Sequence, residues 1–439
     1  MATRVAVVGS GPAGFYAAAA LLASELDVAV DMIERLPTPW GLVRLGVAPD
    51  HPNIKAVSRA FERTAADPGF RFFGNVEVGR DVTHVELRER YDAIVYSVGA
   101  QTDRQLGIPG EDLPGSWPAT AFVAWYNGHP DFQSLAFDLS HERAVVIGNG
   151  TVALDVARML ALTPEELAPT DTTDPAIAAI NDAGVREILV VGRRGPVQAA
   201  WTPVEVGELG DLAGADILVD PADLDLDPAS EAELEAAPPT VKRNIEHLRA
   251  FAAREPAGKP RAIRLRFLRS PVAILGDGKV EAIELVRNEL VDGRAVPTDE
   301  RETIPCGIVF RSVGYRGVAL PGVAFDESTG TIPNERGRVE PGVYVAGWIK
   351  RGPSGVIGTN KKDATETVAL LLEDAAAGAL PPRGDETLEE LLQERGVEAV
   401  VYAGWEAIDR TERTAGEPLG RPRIKLCTWD DLLAAARST

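Results

Sequence analysis

Two glycine-rich segments carry the clearest chemical signal in this 439-residue chain. Residues 9–14 read GSGPAG, and residues 148–153 read GNGTVA. Glycine at these spacings lets a strand-to-helix turn approach a pyrophosphate closely, and the free N–H groups at the helix N-terminus stabilise its charge. One such segment is a weak signal by itself. Two of them, each between a strand and a helix, predict that the chain binds two nucleotides and passes electrons between them.

The residues that follow the second strand of each segment differ, and they predict different nucleotides. Glu34 ends the strand Val28–Ile33, at the distance from the glycines where a carboxylate can accept hydrogen bonds from ribose hydroxyls. The strand Glu187–Val191 is followed instead by Arg193 and Arg194, whose guanidinium groups favour a 2′-phosphate. The second nucleotide is therefore predicted to be NADP(H). The alternative interpretation of the two arginines is an exposed turn that is basic without binding a nucleotide.

The elements that must position these residues follow from hydrophobic periodicity. Short apolar runs predict buried parallel strands, and the stretch after each glycine turn predicts a helix. Around the two turns we predict strands 5–8, 28–33, 143–147 and 187–191 and helices 12–26 and 151–161. Elsewhere we predict strands 70–78, 91–100, 308–314 and 342–347 and helices 53–66, 203–212, 361–373, 385–395 and 429–437.

This order of elements predicts an α/β fold with two Rossmann-like dinucleotide-binding domains. One domain is inserted into the other. Residues 1–100 and 318–439 are expected to form the outer domain, and residues 101–317 the inserted one. The last 65 or so residues carry no chemistry that their sequence reveals.

Composition excludes several classes of function. A net charge of −21 and a pI near 4.8 argue against binding to nucleic acid or to anionic membranes. No apolar run could span a bilayer and no signal peptide fits the N-terminus, so a cytoplasmic location is expected. Cys306 and Cys427 are too far apart in sequence for a CxxC dithiol, and the five histidines lack ligand spacing. No redox disulfide, iron–sulfur cluster or metal site is therefore predicted.

Charge is unevenly distributed along the chain. Residues 216–235 contain eight acidic and no basic side chains, whereas residues 242–269 contain nine Lys or Arg against two Glu. Both stretches can be solvated faces, which is the usual interpretation of such runs. The basic stretch is the more informative of the two, because it lies on an acidic molecule.

Longer motifs carry a specific resemblance to a known family. They are 39–44 (PWGLVR) continuing to 47–51 (VAPDH), 148–158 (GNGTVALDVAR), 192–196 (GRRGP) and 347–359 (GWIKRGPSGVIGT). Together they resemble adrenodoxin reductase, and more closely the actinobacterial NADPH–ferredoxin reductases of that type, over nearly the whole chain. Trp348 stands where the related disulphide reductases have an Asp that reaches the ribityl chain, which favours the adrenodoxin reductase branch.

The resemblance implies FAD in the domain formed by the chain ends, NADP(H) in the inserted domain, and a ferredoxin-type iron–sulfur protein as acceptor. The FAD contacts that it implies, together with the glycines of the first turn, are Gly9, Gly11, Ala13, Gly14, Glu34, Leu42, Val78, Trp348, Gly355, Val356 and Ile357. The implied NADP(H) contacts are Arg104, Asn149, Gly150, Thr151, Val152, Arg193, Arg194 and Glu205, and Gly355 would also face the nicotinamide. The residues near the family's partner-binding helix are Lys242, Arg243 and Arg249, which would dock an acidic ferredoxin.

His51 and Glu208 are the candidate catalytic residues. In the family, a histidine and a glutamate at these positions lie near the flavin–nicotinamide contact and are implicated in proton handling. His51 would tune the protonation or orientation of the flavin without being indispensable. The alternative is a histidine that only orders its loop through hydrogen bonds. By sequence alone, Glu208 is an ordinary solvent-facing acid.

The predicted function is that of a FAD-containing NADPH:ferredoxin oxidoreductase, which takes a hydride from NADPH and passes electrons singly to a ferredoxin, or runs in reverse. Such chemistry requires no side-chain nucleophile and no metal. One alternative is another FAD/NADPH oxidoreductase, such as a monooxygenase or a glutamate synthase small subunit. The latter would carry an N-terminal cysteine-rich region, which this sequence lacks. The other alternative is a non-catalytic flavoprotein that serves as a sensor.

Overall fold

The computed structural model describes residues 2–355 and 357–438, so Val356 lies outside the described residues. The chain divides into two compact units. The first unit consists of Met1–Thr102, Asn127–Asp131 and Gly314–Thr439, and the second consists of Asp103–Tyr126 and Phe132–Val313. The predicted boundaries lie after residues 100 and 317, and the prediction assigns the short segment 127–131 to the inserted domain, whereas in the structure it belongs to the first unit.

That short segment is tied to the first unit by side chains of the C-terminal residues. Lys425 Nζ donates to Asn127 Oδ1 at 3.2 Å, and Trp429 Nε1 donates to Asp131 Oδ1 at 2.7 Å. Arg35 pairs with the same aspartate at 2.7 Å. Such long-range side-chain pairs leave no periodic pattern in a sequence.

Helices and strands alternate along most of the chain. The first stretch contains β1 (Thr3–Val8), α1 (Pro12–Leu22), β2 (Val28–Ile33), α2 (Leu42–Leu45), α3 (Pro52–Lys55), α4 (Ser58–Ala65), β3 (Phe70–Phe73), α5 (His84–Arg90) and β4 (Ala93–Tyr96). The middle stretch contains β5 (Thr102–Asp103), β6 (Ser116–Pro118), α6 (Ala119–Tyr126), β7 (Arg143–Ile147), α7 (Thr151–Ala161), α8 (Pro164–Leu167), α9 (Asp174–Asn181), β8 (Glu187–Val191), α10 (Pro203–Leu209), β9 (Ala215–Val219), α11 (Pro228–Ala236), α12 (Pro239–Ala252), β10 (Arg261–Arg266), β11 (Arg269–Leu275), β12 (Ala282–Val291), β13 (Arg294–Pro305) and β14 (Ile308–Arg311). The last stretch contains β15 (Tyr315–Arg316), β16 (Arg338–Glu340), β17 (Val343–Val345), α13 (Trp348–Arg351), α14 (Ile357–Ala376), α15 (Leu388–Glu394), α16 (Tyr402–Gly416) and α17 (Trp429–Ala436).

The first unit is built on a six-stranded sheet with the strand order β16–β17–β4–β1–β2–β3. Its strands are parallel except for β16, which pairs antiparallel with β17. Strand β1 lies between β2 and β4, and Val8 at its end is level with Ile33 and Tyr96. The chain therefore reverses its direction of travel across the sheet at β1, which is where parallel α/β sheets bind ligands.

The second unit repeats this arrangement. Its six-stranded parallel sheet has the order β6–β14–β7–β8–β10–β9. Strand β7 lies between β14 and β8, with Ile147 level with Arg311 and Val191. A separate antiparallel sheet, β11–β12–β13, completes the unit. The two parallel sheets confirm the predicted α/β fold with two Rossmann-like units.

Several element boundaries differ from the sequence predictions for local reasons. Helix α1 ends at Leu22 and not at residue 26, because the N–H and hydroxyl of Ser24 both bond to the Leu21 carbonyl. Strand β3 stops at Phe73, because Asn75 adopts a φ of +59°. The predicted helix 53–66 is divided into α3 and α4. Helix α16 was not predicted at all.

Candidate cofactor sites

The first glycine turn joins β1 to α1, and each of its glycines meets a different steric demand. Gly9 adopts a φ of +101°, and a Cβ on it would lie 2.6 Å from the Ser97 carbonyl oxygen. A Cβ on Gly14 would lie 2.1 Å from the Gly9 carbonyl oxygen. A Cβ on Gly11 would meet nothing within 4 Å. Gly9 and Gly14 thus serve the packing of the turn, whereas Gly11 leaves open backbone that a pyrophosphate can approach.

Glu34 is fixed against this turn. One carboxylate oxygen accepts from the Ser10 N–H at 3.0 Å and from the Ser10 hydroxyl at 2.6 Å, and the other accepts from the Leu36 N–H at 3.0 Å. The carboxylate therefore has a defined orientation at the carboxyl end of β2. At this position a carboxylate is predicted to accept from ribose hydroxyls.

The motif at 39–44 forms a turn that lies directly against the glycines. The Trp40 N–H donates to the Ser10 carbonyl at 3.0 Å, and Trp40 is buried with a φ of +84°. A Cβ on Gly41 would lie 2.9 Å from the Gly11 Cα, so only glycine allows this approach. Leu42, the next residue, is 40% exposed. Neither Trp40 nor Gly41 was predicted as a site residue, although the PWG sequence is the signal that marks them.

The C-terminal part of the first unit reaches the same turn through Gly347. A Cβ on Gly347 would lie 2.6 Å from the Ala13 Cβ, at the start of α1. The Gly347 N–H donates to Asp363 at 2.6 Å, and the same carboxylate pairs with Lys350 at 2.8 Å. Ala13 and Trp348 are thereby brought near each other, although they are 335 positions apart in the sequence.

These features fit FAD in the first unit. The backbone at Gly11 is open, and no acidic side chain lies in the first turn of α1 to repel a phosphate. The Trp348 indole N–H is buried without a hydrogen-bond partner among the described residues, which leaves a donor for a bound group. Gly355 has a φ of +77°, and Ile357 begins α14 immediately beyond the undescribed Val356.

Val78 differs from the other predicted FAD contacts. It is 8% exposed and lies in an apolar cluster with Val8, Ile33 and Phe73, beneath one face of the sheet. Its side chain is therefore already packed by protein atoms. Val78 lies two residues past Val76, whose N–H donates to the Glu34 carbonyl at 2.9 Å.

The second glycine turn has the same division of roles. Gly148 adopts a φ of +137°, and a Cβ on it would lie 2.0 Å from the Ser312 carbonyl oxygen. A Cβ on Gly150 would meet nothing within 4 Å. No acidic residue lies in the first turn of α7. The backbone at Gly150 is thus open to a pyrophosphate, as at Gly11.

Arg193 and Arg194 extend from a backbone that is held on both sides. The Arg193 carbonyl accepts from Asn288 Nδ2 at 2.8 Å, and the Arg194 carbonyl accepts from the Leu268 N–H at 3.1 Å. Both side chains are exposed, and neither has a hydrogen-bond or ion-pair partner within the part of the chain that the structure describes. Two free guanidinium groups on a fixed turn suit a 2′-phosphate.

Asn149, Thr151 and Glu205 surround the same turn. The Asn149 side chain lies against Gly192, where a Cβ would overlap its amide. The backbone carbonyl of Asn149 accepts from the Ala200 N–H at 2.9 Å. Thr151 donates its hydroxyl to Glu205 at 3.2 Å, and Glu205 also caps α10 through Thr202. Asn149, Gly150, Thr151 and Glu205, four of the predicted NADP(H) contacts, are therefore adjacent in space. Val152 follows Thr151 in α7, while Arg104 lies exposed near the start of the unit.

The two candidate catalytic residues occupy different environments. Glu208 is half-exposed in α10 and accepts from Arg158 at 3.2 Å; that guanidinium is 2% exposed in α7. Glu208 is thus a partner of a buried arginine and more than the ordinary surface acid that its sequence suggests. His51 precedes α3, and its N–H donates to the Ala48 carbonyl at 3.0 Å.

The basic stretch 242–269 separates into two parts. Arg264 pairs with Glu187, and Arg266 pairs with Glu302, so the strand residues of the stretch stabilise the unit internally. On α12, in contrast, Arg243 and Arg249 are exposed and have no partner among the described residues. Lys242 is also exposed, and it donates to the Glu235 carbonyl at 2.8 Å. The exposed cations of the stretch lie on α12 and, at Arg254, just after its end.

No group of three or more His, Cys, Asp or Glu side chains in residues 2–355 and 357–438 is arranged to hold a metal ion. The same residues include no helix long and apolar enough to cross a membrane. Cys306 and Cys427 are free thiols, and burial raises the pKa of Cys306 to about 12.

Comparisons with known proteins agree with this geometry. The model of the pyridine nucleotide-disulphide oxidoreductase family matches residues 3–167. The NADPH-ferredoxin reductase FprA of Mycobacterium tuberculosis is 54% identical over 448 residues, which cover 98% of each chain. Human mitochondrial NADPH:adrenodoxin oxidoreductase is 46% identical over 98% of this chain and 91% of its own. The solved structure of M. tuberculosis FprA in complex with NADPH has a TM-score of 0.96 at 52% identity, over the full length of both chains.

Proposed function

Because the chain belongs to the family of adrenodoxin reductase-type NADPH–ferredoxin reductases, we propose that it is a FAD-containing NADPH:ferredoxin oxidoreductase. The observation that carries the proposal is that the charged residues beside its two nucleotide turns differ. Glu34 lies at the first turn, where it suits the ribose of FAD, and Arg193 and Arg194 lie at the second, where they suit NADP(H). No CxxC dithiol is present in the sequence, so the electrons leave for an external acceptor.

The chemistry that FAD supplies when bound is to take a hydride from NADPH and to release the two electrons singly. The chain binds the two cofactors and orients them for that exchange. In the first unit, Gly9, Gly11, Ala13, Gly14, Glu34, Leu42, Val78, Trp348, Gly355, Val356 and Ile357 are proposed to hold FAD. Leu42 and Trp348 supply the apolar surface that excludes water from it.

In the second unit, the proposed NADP(H) site consists of Arg104, Asn149, Gly150, Thr151, Val152, Arg193, Arg194 and Glu205. The hydrogen bond from Thr151 to Glu205 supports this assignment, because it fixes α10 beside the N-terminus of α7. Glu205 shares the site by orienting the helix terminus, and the two arginines supply the discrimination against NADH.

We propose that His51 and Glu208 take part in proton handling, His51 without being indispensable. Glu208 is suited to this because its pairing with Arg158 orients one carboxylate oxygen, while the side chain as a whole stays 39% exposed. His51 is suited because Pro52 begins a helix directly after it and limits its backbone.

A ferredoxin-type iron–sulfur protein is the partner, and we propose that it docks on the exposed cations of α12. Lys242, Arg243 and Arg249 define this α12 basic face. Complementary charge accelerates the encounter of a positive patch with an acidic protein. The cytoplasmic location expected from the sequence stays a prediction.

Anaerobic titration tests the function directly. NADPH should bleach the yellow protein within seconds, NADH should do so far more slowly, and added ferredoxin should accelerate cytochrome c reduction. A preference for NADH would contradict the role of the two arginines. Rapid oxygen consumption with a hydroxylated product would identify a monooxygenase, and a flavin that NADPH leaves oxidised would identify a sensor.

A further inference from the structure

A buried charged cluster lies at the C-terminal end of the first unit. Glu412 in α16 is 0% exposed and accepts from both terminal nitrogens of Arg44, at 2.8 and 2.5 Å. It also accepts from Arg423 at 2.9 Å and from the Leu426 N–H at 2.9 Å. Burial favours the neutral acid, but the two arginines together hold the pKa of Glu412 below its ordinary value. The carboxylate is therefore ionised and bound on both oxygens.

Arg44 is held at two further points. Its carbonyl accepts from Lys425 Nζ at 3.2 Å, and its guanidinium lies 5.3 Å from the centre of the Trp405 ring. Trp405 in turn packs edge-on against Trp40 at 4.8 Å. Buried ion pairs contribute little net stability, because desolvation offsets their attraction. We therefore attribute this cluster to a role in fixing the backbone position of Arg44 and of the turn that precedes it.

Residues 40–44 form the turn that lies against the first glycine segment. The Arg44 N–H donates to the Gly41 carbonyl at 3.1 Å, so Arg44 and Gly41 belong to one helical turn. Gly41 lies against Gly11, and Trp40 bonds to the Ser10 carbonyl. A shift of Arg44 would therefore move the backbone that lines the pyrophosphate approach.

We propose that Glu412 is a positioning residue for FAD. Acting through Arg44, it fixes the Trp40–Leu42 turn against the glycine segment and so presets the shape of the FAD site. This inference rests on the assignment of FAD to the first unit. It gives a function to a C-terminal segment whose sequence reveals no chemistry.

The first test is the FAD affinity of the Glu412→Gln variant, measured by quenching of flavin fluorescence on addition of apoprotein. We expect the dissociation constant to rise about tenfold or more, with an altered visible spectrum of the bound flavin. The matched control is Asp374→Asn, which removes another carboxylate of this unit. Asp374 lies near the C-terminal end of α14 and accepts hydrogen bonds from Arg338 and Tyr344. The control should lose stability and keep wild-type FAD affinity.

A second variant separates positioning from stability. Removing both charges in Arg44→Met/Glu412→Gln should restore the unfolding midpoint of the apoprotein towards the wild-type value, because Arg44 is no longer a buried cation without its carboxylate and Arg423 keeps its pairing with Asp409 at 2.7 Å. It should not restore FAD affinity or the spectrum. A double variant, or a folded Glu412→Gln variant, that binds FAD as tightly as the wild type would overturn the proposal.

Hydrogen exchange on the wild-type chain provides a test that needs no variant. Coupling is reciprocal, so FAD added to apoprotein should slow amide exchange in residues 404–413 of α16. Unchanged exchange there would overturn the proposal even if every variant failed to fold. A wild-type chain that bound no FAD would overturn the proposed function as well, whereas native FAD content with unaffected variants would overturn this inference alone.

Discussion

Single residues distinguish the two nucleotide sites, although the turns that hold them are nearly the same. Gly11 and Gly150 both present open backbone, and neither following helix has an acidic first turn. The sites differ at the end of the neighbouring strand. Glu34 follows β2 at the first site, and Arg193 and Arg194 follow β8 at the second. We therefore propose that charge at these positions decides which nucleotide each turn binds.

We predict that Arg193→Gln/Arg194→Gln raises the KM for NADPH about 100-fold or more, since each charge-assisted hydrogen bond contributes about 1.5–3 kcal/mol and two are lost. The KM for NADH should change little, because NADH has no 2′-phosphate. Both arginine side chains are exposed and unpaired among the described residues, so the unfolding midpoint should not fall. Steady-state kinetics with the two nucleotides measure the effect, and an equal rise in both KM values would contradict it.

The two glycines of the turn between β7 and α7 differ in the space that is available for a Cβ atom. We predict that Gly148→Ala destabilises the second unit, because the Cβ would lie 2.0 Å from the Ser312 carbonyl and the φ is +137°. Gly150→Ala should leave the unfolding midpoint nearly unchanged, because its Cβ enters open space at a φ of −113°. The same Cβ should weaken NADPH binding, measured by titration. Tight binding by Gly150→Ala would argue against a pyrophosphate at this turn.

Helix α5 shows how a cap responds to pH. Glu86 accepts from the Thr83 N–H at 2.9 Å, and a hydrogen bond from Arg395 lowers its pKa to about 2 from 4.5. Because the folded-state pKa is the lower one, its stabilisation is present above pH 4.5 and is lost as the pH falls towards 2. Glu86→Gln should therefore cost about 1 kcal/mol of unfolding free energy at neutral pH.

The difference between wild type and Glu86→Gln should shrink on acidification, which denaturation followed by circular dichroism at several pH values would measure. Glu89→Gln is the matched control, because it lies on the same helix with a carboxylate that is 63% exposed. A Glu86→Gln effect that stays constant from pH 7 to pH 3 would refute the assigned cause.

At the scale of elements, the sequence predicted the parts of the fold that periodicity encodes. Strands β2, β7 and β8 and helix α7 begin and end at the predicted residues, because each is a short apolar run or follows a glycine turn. Helix α16 escaped prediction because its buried face includes Gly404 and the charged Glu412, which weaken any apolar pattern. The contacts of Trp40 and Gly41 depend on pairs far apart in sequence, which no local pattern predicts.

At the scale of the whole molecule, the local charge on α12 has the opposite sign to the net charge of the chain. The chain carries a net charge of −21, yet three of the nine cations in its basic stretch, Lys242, Arg243 and Arg249, are exposed on α12, whereas Arg264, Arg266 and Arg269 form internal ion pairs. The α12 basic face is thus a local exception on a molecule that otherwise repels acidic proteins. Such an exception is effective only at close range, because salt screens charges over about 10 Å at 0.1 M.

Ferredoxin-dependent turnover should consequently fall with ionic strength, whereas reduction of ferricyanide should not fall. We predict that Arg243→Gln/Arg249→Gln lowers kcat/KM for ferredoxin about tenfold at low salt, within the range that electrostatic steering supplies, and flattens the salt dependence. Arg287→Gln/Arg301→Gln is the matched control, since these cations of the antiparallel sheet are equally accessible but paired with Glu300 and Glu284. Both double variants should keep the wild-type ferricyanide rate. Equal salt dependence for the two acceptors, or an equal loss in the control, would remove α12 as the docking surface.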